Sequence, residues 1–378
     1  MKKYLFIIFA IAMTTLTGCK SEQTSRSQVK RTDFQSMVDG KQTDLYYLTN
    51  KNGLELTVTN FGARIVELFT PDRNGQYEDI VLGRDHIDKY VRYTGERFLG
   101  STIGRYGNRI AKGRFTLDGV DYTLPINNEP NSLHGGTKSF DMLVWDAEQT
   151  DPQTIQFTLV SPDGDQGYPG QLTVNMTYQL NDDNELVITH QAVTDKKTVL
   201  NLTHHSFFNL HGAGNGTIND HILTINASNY TPVDSTLIPS GPIATVEGTP
   251  LDFRTPTAIG QRADQDFEQL RFGRGYDHNW VLDRKTAKGL EQAAVVYEPV
   301  SGRVMEVWTT EPSMQFYGGN FFDGTDIGKG GKRYNFRASL ALETQHYPDS
   351  PNHPDFPSTE LNPGEQYYHQ CVYKFGVK

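Results

Sequence analysis

Two adjacent histidines, His204 and His205, stand in the apolar, β-favouring run from Asn201 to Leu210. Successive side chains of a β-strand point to opposite faces, so only one of the two imidazoles can enter a given cavity. Such a pair cannot easily bind one metal ion together, but a single imidazole at a cavity can donate or accept a proton near neutral pH. The run therefore favours acid–base chemistry over a metal site.

Five further segments mix polar side chains with glycine and aromatic residues, which a plain β-sandwich would not require. They are residues 103–110, 131–136, 275–280, 314–320 and 342–348. Amides, guanidinium groups and carboxylates bind hydroxyl groups, while aromatic faces cover the C–H patches of a sugar ring. These segments together predict a site for a neutral, polyhydroxylated ligand.

The elements that must position these residues are predicted to be β-strands. Leu172, Val174, Met176, Tyr178 and Leu180 alternate along one strand, and other segments repeat this pattern between Gly, Pro, Asn and Asp turns. With 35 glycines and 18 prolines in the chain, we expect an all-β fold, a large antiparallel β-sandwich with very little helix. The best helix candidate runs from Thr257 to Leu270.

The first residues carry the features of an export signal. Lys2 and Lys3 precede an apolar run that is too short to span a bilayer. The segment Leu16-Thr17-Gly18-Cys19 resembles a bacterial lipobox, which predicts a signal peptide over 1–18 and lipidation of Cys19. An ordinary signal followed by a chance cysteine is the alternative.

The rest of the chain predicts a short tether and one domain. Residues 19–31 are rich in Ser, Gln, Lys and Arg and are expected to form a flexible tether. No linker divides residues 32–378, which predicts a single domain. We also expect the protein to be a monomer. The protein would be exported and membrane-anchored, facing the periplasm or in the outer membrane, with membrane contact only through the lipid at Cys19.

Charge and cysteine content exclude several classes of function. The formal charge is −10 and becomes −12 when the two lysines of the signal are removed, so nucleic acid is not an expected partner. Once Cys19 is lipidated, Cys371 is the single remaining cysteine and no disulfide can form. We expect Cys371 to be an inert core residue. No Walker-type loop and no G-x-S-x-G motif is present.

Several widely spaced motifs occur together in one order. They are G-R-x-x-N-R-I from Gly104, L-H-G-G from Leu133, N-x-T-x-H-S-F-F-N-L from Asn201, D-H-N from Asp277 and E-T-Q-x-Y-P-D from Glu343. In these motifs, from about Gly53 to Phe375, the chain resembles the aldose 1-epimerase (galactose mutarotase) family. The resemblance implies the galactose mutarotase-like supersandwich fold and the interconversion of α and β anomers of free aldohexoses.

The resemblance also implies roles for individual residues. His205 matches the general acid and Glu343 the general base. The residues that match sugar-binding positions of the family are Asn108, Arg109, His134, Asp277 and Gln315. Many members have Tyr where this chain has Phe207, so a contact made by that hydroxyl is absent here.

The chemistry of this reaction fits the residues. One group must remove the proton of the C1 hydroxyl while another protonates the ring oxygen. The ring then opens to an aldehyde, the C1–C2 bond turns, and the ring closes on the other face. The monosaccharide is the only partner required; no metal and no cofactor is expected. Carboxylates near His205, such as Asp277 or Glu343, are expected to raise its pKa and keep it a proton donor.

Other interpretations of the sequence remain open. Taken alone, His205 is more often a satisfied core histidine than a catalyst, and His134, Asp277 and Gln315 could be structural residues. We expect Arg109 in the pocket and Arg105 in a structural role. Rival functions are a non-catalytic sugar-binding module, a sugar-phosphate epimerase and a polysaccharide-cleaving enzyme on a related fold.

Overall fold

The computed structural model of the protein describes residues 25–378. Nearly all regular secondary structure in this part of the chain is β. Its α-helices are two short ones, α1 (Ile87–Val91) and α2 (Glu268–Gly273). The predicted scarcity of helix is confirmed.

The strands of the first half of the described chain are β1 (Met37–Val38), β2 (Lys41–Gln42), β3 (Leu45–Thr49), β4 (Glu55–Thr59), β5 (Arg64–Pro71), β6 (Tyr77–Asp79), β7 (Ser101–Ile103), β8 (Arg109–Ile110), β9 (Arg114–Leu117), β10 (Val120–Thr123), β11 (Ser132–Leu133), β12 (Asp146–Asp151), β13 (Thr154–Ser161) and β14 (Leu172–Leu180). Those of the second half are β15 (Glu185–Thr194), β16 (Thr198–Val199), β17 (Thr203–His205), β18 (Ile222–Ile225), β19 (Asn229–Thr231), β20 (Ala244–Thr245), β21 (Thr257–Ala258), β22 (Asp277–Val281), β23 (Glu291–Tyr297), β24 (Arg303–Thr309), β25 (Ser313–Tyr317), β26 (Ala341–Gln345), β27 (Glu360–Leu361) and β28 (Tyr367–Val377).

The largest sheet has nine antiparallel strands in the order β12-β13-β14-β15-β28-β24-β23-β18-β21. Along β14 every second residue is buried, from Leu172 to Leu180, and the residues between them are more exposed. This alternation places one face of the sheet on the core and the other toward solvent. The strand predicted from the spacing of Leu172 to Leu180 is confirmed.

Two smaller sheets cover the inner face of the large sheet. One has four strands in the order β3-β4-β5-β6, and the other has five in the order β20-β19-β22-β25-β26. Buried side chains of all three sheets, such as Leu56 of β4, Met176 of β14 and Phe316 of β25, belong to one hydrophobic cluster. The molecule is therefore a β-sandwich, as the sequence predicts.

Three neighbouring strands of the five-stranded sheet, β22, β25 and β26, are buried on both faces. Every residue of β25 and β26 is buried, and so are the first four of β22. Trp280, Phe316 and Leu342 pack into the main core from one face. The opposite face carries polar side chains, so it lines a cavity instead of a second apolar layer.

The helix predicted from Thr257 to Leu270 is wrong over most of its length. Thr257 and Ala258 form β21, a 3₁₀ turn follows at Ile259–Gln261, and α2 starts only at Glu268. The apolar residues of this segment are buried without forming one helical stripe, because Ile259 packs next to strand β21 while Leu270 lies on α2. Local spacing gave a helical pattern that the pairing of β21 with β18 overrides.

The tether expected over residues 19–31 differs from the structure where the structure describes it. The Ser27 hydroxyl donates to the Glu67 carboxylate at 2.6 Å, and the Arg26 guanidinium lies over the Tyr77 ring at 3.8 Å. Val29 is buried in a second hydrophobic cluster. From Ser25 onward this segment therefore packs on the four-stranded sheet. The predicted signal peptide, Cys19 and the first part of the tether lie outside the described residues.

Two further features concern the described chain. None of its helices has the length and apolar character needed to cross a bilayer. Cys371 is a free cysteine buried in β28, and burial raises the pKa of its thiol to about 11. A thiol with so high a pKa is unreactive near neutral pH, as expected for a core residue.

Candidate active site

A cavity of about 390 Å³ opens on the polar face of the five-stranded sheet. This volume lies in the range of small-molecule sites. The predicted site residues that line it are Asn108, Arg109, His134, His205, Asp277 and Glu343. The seventh, Gln315, donates a hydrogen bond from its Nε2 to Asp277 Oδ1 at 2.7 Å. The structure thus brings all seven predicted residues together.

Strand β17 places the two adjacent histidines on opposite sides, as the alternation predicts. His205 points into the cavity, and its Nε2 lies 3.4 Å from Glu343 Oε1. His204 points into the core, where its ring nitrogens contact the hydroxyls of Tyr178 at 3.1 Å and Ser206 at 2.6 Å. His205 is therefore the histidine of the site, and His204 anchors strand β17 to the core on the opposite face.

Strand register brings the polar residues of the five-stranded sheet onto one face. Gln315 of β25 pairs directly with Glu343 of β26, and Asp277 of β22 pairs with Tyr317 of β25. Directly paired residues of antiparallel strands share a face, and so do residues two apart on one strand. Asp277, Gln315 and Glu343 therefore form one polar surface on a rigid sheet.

Loop residues form the opposite wall of the cavity. Asn108 has a positive φ of 64°, and its backbone N–H donates to His134 Nδ1 at 3.1 Å. Because Nδ1 accepts this bond, the neutral His134 ring carries its proton on Nε2. The Arg109 Nε donates to Asn128 at 3.0 Å, and its Nη2 lies 3.9 Å from Asp277 Oδ2. This wall therefore supplies hydrogen-bond donors opposite the carboxylates.

Arg105, which belongs to the same motif, has a structural role, as predicted. Its guanidinium is buried and donates to the Ser161 hydroxyl and to the carbonyls of Ser161, Pro162 and Pro169 at 2.8–3.0 Å. It thereby ties the motif to the turn after β13. Arg109 is the arginine that lines the cavity.

The expectation that nearby carboxylates raise the pKa of His205 is wrong. Burial lowers the pKa of His205 to about 3, and burial also raises the pKa of Glu343 well above its ordinary value. Asp277 raises the pKa of Glu343 further, and burial raises the pKa of Asp277 as well. The sequence could indicate the neighbours of these groups but not the depth of their burial, and burial favours the neutral form of each.

Aromatic rings fix the orientation of the His205 imidazole. Phe207 stacks on it with ring centroids 4.5 Å apart and an interplanar angle of 24°. Phe98 lies on it at 6.0 Å, and His134 meets it edge-on at 5.3 Å. Such packing holds the ring in one orientation without adding charge, which suits a group that must exchange a proton with a ligand.

Several lining residues were not predicted from the sequence. Glu96, Phe98, Asn128, Tyr317 and Phe321 also line the cavity. Tyr317 lies in the segment 314–320 and Asn128 in a loop of the kind that forms sites. Glu96 and Phe98 lie before any of the recognised motifs, so no residue pattern indicated them.

His134, His205 and Glu343 could also hold a metal ion, since one ligand atom of each lies within 4.8 Å of the others. The same atoms are the ones that acid–base chemistry requires. A cation bound there would therefore compete with proton transfer.

Comparison with known proteins agrees with this site. The family described as Aldose 1-epimerase matches residues 44–374. Galactose mutarotase of Rattus norvegicus is 44% identical over 349 residues, which are 92% of this chain and 99% of the relative. Aldose 1-epimerase of Escherichia coli (strain K12) is 38% identical over 339 residues, 89% of this chain and 96% of the relative.

A solved structure shows the same fold. The crystal structure of an aldose epimerase homologue from C. elegans has a TM-score of 0.82 and 33% sequence identity, and the match covers 89% of this chain and 99% of that chain. The relatives match over nearly their whole length, and the motifs that carry the resemblance converge on one cavity. The chain belongs to the aldose 1-epimerase family and is an isomerase.

Proposed function

We propose that this enzyme interconverts the α and β anomers of free aldohexoses, with galactose or glucose as substrate. The observation that supports this most directly is the His205–Glu343 pair, with 3.4 Å between Nε2 and Oε1. The pair lies in a cavity of about 390 Å³ whose other polar groups suit sugar hydroxyls. The names of the relatives agree with this reaction.

Ring opening needs one proton acceptor and one proton donor. The acceptor takes the proton of the C1 hydroxyl, the electrons of that O–H bond form the C1 carbonyl, and the C1–O5 bond breaks. The donor protonates O5 as it leaves. Rotation about C1–C2 and the reverse proton transfers close the ring on the other face. Each positioned group contributes roughly 10²–10⁴-fold to the rate.

Sugar binding favours Glu343 as acceptor and His205 as donor. In the cavity without a ligand, burial favours the neutral forms, so the shared proton lies on Glu343. A sugar hydroxyl that donates to the Glu343 carboxylate stabilises its charged form. The proton then lies on His205, whose charge is balanced by the carboxylate 3.4 Å away. We assign His205 as general acid and Glu343 as general base on this ground.

The remaining residues bind and orient the sugar. Asp277, held by Gln315 at 2.7 Å, accepts from sugar hydroxyls. Arg109 and the Nε2–H of His134 donate from the opposite wall, as does the amide of Asn108. Donors and acceptors on two walls hold a ring that carries hydroxyls on both faces. Family membership and these proton transfers together require no cofactor.

We also propose that the protein is an exported, membrane-anchored lipoprotein. The support is the lipobox-like sequence that ends at Cys19, preceded by Lys2, Lys3 and an apolar run. Labelling of cells with a radioactive fatty acid, for wild type and for Cys19→Ala, tests this proposal. Equal label in both proteins would contradict it.

Polarimetry of freshly dissolved α-galactose and α-glucose tests the reaction, with the soluble domain that starts at Ser25. We expect His205→Asn and Glu343→Gln each to lower the rate above the spontaneous one by about 10²–10⁴-fold. A loss of less than about tenfold in either variant would remove that residue from the mechanism.

Two controls separate chemistry from folding and from rival functions. Glu148→Gln, an exposed substitution on β12, should retain wild-type activity, and unchanged circular dichroism should show that all variants fold. Galactose 6-phosphate distinguishes a sugar-phosphate epimerase, which would prefer it to galactose. Calorimetric binding of galactose without acceleration of mutarotation would indicate a sugar-binding module instead.

A further inference from the structure

A group of histidines and carboxylates lies outside the active site, where the loop of residues 209–216 meets the start of β18. One ligand atom each of His211, Asp220 and His221 lies within 4.8 Å of the others. His211 and Asp220 line a cavity of about 430 Å³ that shares no lining residue with the cavity of the acid–base pair. The proposed anomer interconversion uses none of these side chains.

His221 holds the Asp220 carboxylate in place. The His221 ring is buried, and its Nε2 accepts from the backbone N–H of Leu210 at 3.0 Å. The neutral ring therefore carries its proton on Nδ1, which lies 3.3 Å from Asp220 Oδ1 and donates to it. Both nitrogens of His221 are thus in use, so this residue orients Asp220 and is not itself a metal ligand.

Glu298 holds the His211 ring from the other side. Glu298 is buried, and its carboxylate accepts from the backbone N–H groups of Val300 and Ser301, both at 2.6 Å. His211 Nδ1 lies 3.4 Å from Glu298 Oε2. Because a carboxylate only accepts, Nδ1 is the nitrogen that carries the proton. A carboxylate at the far nitrogen is the usual partner of a metal-binding histidine.

The second nitrogen of His211 faces the Asp220 carboxylate. Its Nε2 lies 2.9 Å from one oxygen of Asp220 and 3.0 Å from the other. In the neutral ring with its proton on Nδ1, Nε2 presents a lone pair to these oxygens, and the two groups repel each other unless a cation lies between them. A proton or a metal ion supplies the positive charge that this geometry requires.

The spacing and type of the two ligands fit a transition-metal ion. Ligand atoms 2.9–3.0 Å apart, each about 2.1 Å from an ion, subtend about 90° there, as neighbouring ligands of an octahedral ion do. Imidazole with carboxylate suits Zn²⁺ or Ni²⁺, whereas Mg²⁺ and Ca²⁺ prefer oxygen ligands alone. Asn219 lines the same cavity, and its buried side-chain oxygen has no hydrogen-bond partner among the described residues. Solvent reaches the exposed Asp220 and completes the coordination.

We propose that His211 and Asp220 bind a divalent transition-metal ion, with Glu298 and His221 positioning the two ligands. The ion links the loop of residues 209–216 to the chain that enters β18, and it stabilises this part of the fold. It takes no part in the proton transfers at His205. The inference is therefore independent of the proposed function.

Calorimetric titration of the untagged protein with ZnCl₂ and with NiCl₂ tests the inference, for wild type, His211→Ala and Asp220→Asn. The wild type should bind one equivalent more than either variant, because loss of a ligand weakens binding by more than the about 10–100-fold that loss of a positioning partner causes. Any ion at His134, His205 and Glu343 is counted equally in all three proteins, since neither variant changes that group. A saturating ion should raise the Tm of the wild type more than that of the variants.

The matched control is His353→Ala. His353 Nε2 also faces a carboxylate, at 3.1 Å from Asp349 Oδ2, but His353 forms no second ion pair among the described residues. This variant should bind as many ions as the wild type, and unchanged circular dichroism should show that all variants fold. Equal stoichiometry in the wild type, His211→Ala and Asp220→Asn would overturn the inference and leave a proton between the two side chains. An extra equivalent without the extra rise in Tm would overturn the stabilising role of the ion.

Discussion

At the scale of single residues, the His205–Glu343 pair shows how burial changes acid–base chemistry. Both residues were predicted from the motifs around them, and the structure places them 3.4 Å apart. The direction of their pKa shifts could not be predicted, because it depends on desolvation by the surrounding fold. Glu96 was also missed, since its position at the cavity follows from a loop held by Arg84 and Asp326 and from no local pattern.

The pH dependence of kcat/KM follows from these shifts. In the enzyme without sugar, the His205–Glu343 pair carries one proton, on Glu343. Acidification inactivates this form only by adding a second proton to His205, whose pKa is lowered to about 3. We therefore expect activity to persist on acidification well below 6.5, the ordinary pKa of histidine. Polarimetry between pH 4 and 8, corrected for the spontaneous rate, checks this; an acid limb centred near 6.5 would contradict it.

Chelation should leave activity unchanged. The ligand atoms of His134, His205 and Glu343 that a cation would occupy are those needed for proton transfer. Enzyme dialysed against EDTA should therefore match untreated enzyme, and added Zn²⁺ should inhibit it. Loss of activity on chelation, with recovery on addition of a divalent cation, would show that the reaction uses a metal.

At the scale of elements, the alternation of apolar and polar residues predicts strands correctly, whereas segments without this alternation are not predicted correctly. The spacing from Leu172 to Leu180 predicted β14, because one side of each strand in the large sheet faces the core. The spacing from Thr257 to Leu270 gave a false helix. There the pairing of β21 with β18 decides the structure, and such a contact between distant segments leaves no local signature.

Histidine burial in β15 should make stability depend on pH. His190 is fully buried, neither ring nitrogen has a partner among the described residues, and its ring stacks on His369 of β28 at 5.1 Å. Burial lowers the pKa of His190 well below 6.5, so only the unfolded chain takes up a proton there. This residue therefore lowers the free energy of unfolding progressively as the pH falls below 6.5.

Replacing His190 with leucine removes this effect. At one pH unit below the pKa that His190 has in the unfolded chain, this residue should lower the free energy of unfolding of the wild type by about 1.4 kcal/mol. The His190→Leu protein should show no such decrease. Urea denaturation of both proteins at pH 7.5 and pH 5.5 gives the difference. A stability difference between the two proteins that is the same at both pH values would contradict the prediction.

At the scale of the whole molecule, the resemblance predicted a sandwich, and three sheets around one core confirm it. The chain before the sandwich was harder to interpret, because Ser, Gln, Lys and Arg are typical of tethers. The structure shows why composition misled over residues 25–30: Glu55 and Glu67 on the sheet bind backbone and side-chain groups of this segment. This polar segment is ordered because its hydrogen-bond partners lie on strands that are distant in the sequence.

Removal of this segment should destabilise the domain. A chain that begins at Arg31 loses the burial of Val29 and the hydrogen bonds to Glu55 and Glu67. We expect a loss of about 2 kcal/mol in the free energy of unfolding relative to a chain that begins at Ser25. Urea denaturation measures this free energy. The kcat should be unaffected, because the segment lines no part of the cavity that contains His205 and Glu343. Equal midpoints would show that the segment adds no stability.

The closeness of His205 and Glu343 has a consequence for the complete catalytic cycle. In ring opening one partner loses a hydrogen and the other gains one; ring closure moves both back. The enzyme therefore returns to its starting form and needs no hydrogen from the solvent. A catalyst that resets itself within the cleft speeds both directions alike, so the final mixture of anomers is fixed by the sugar and only the time to reach it by the protein.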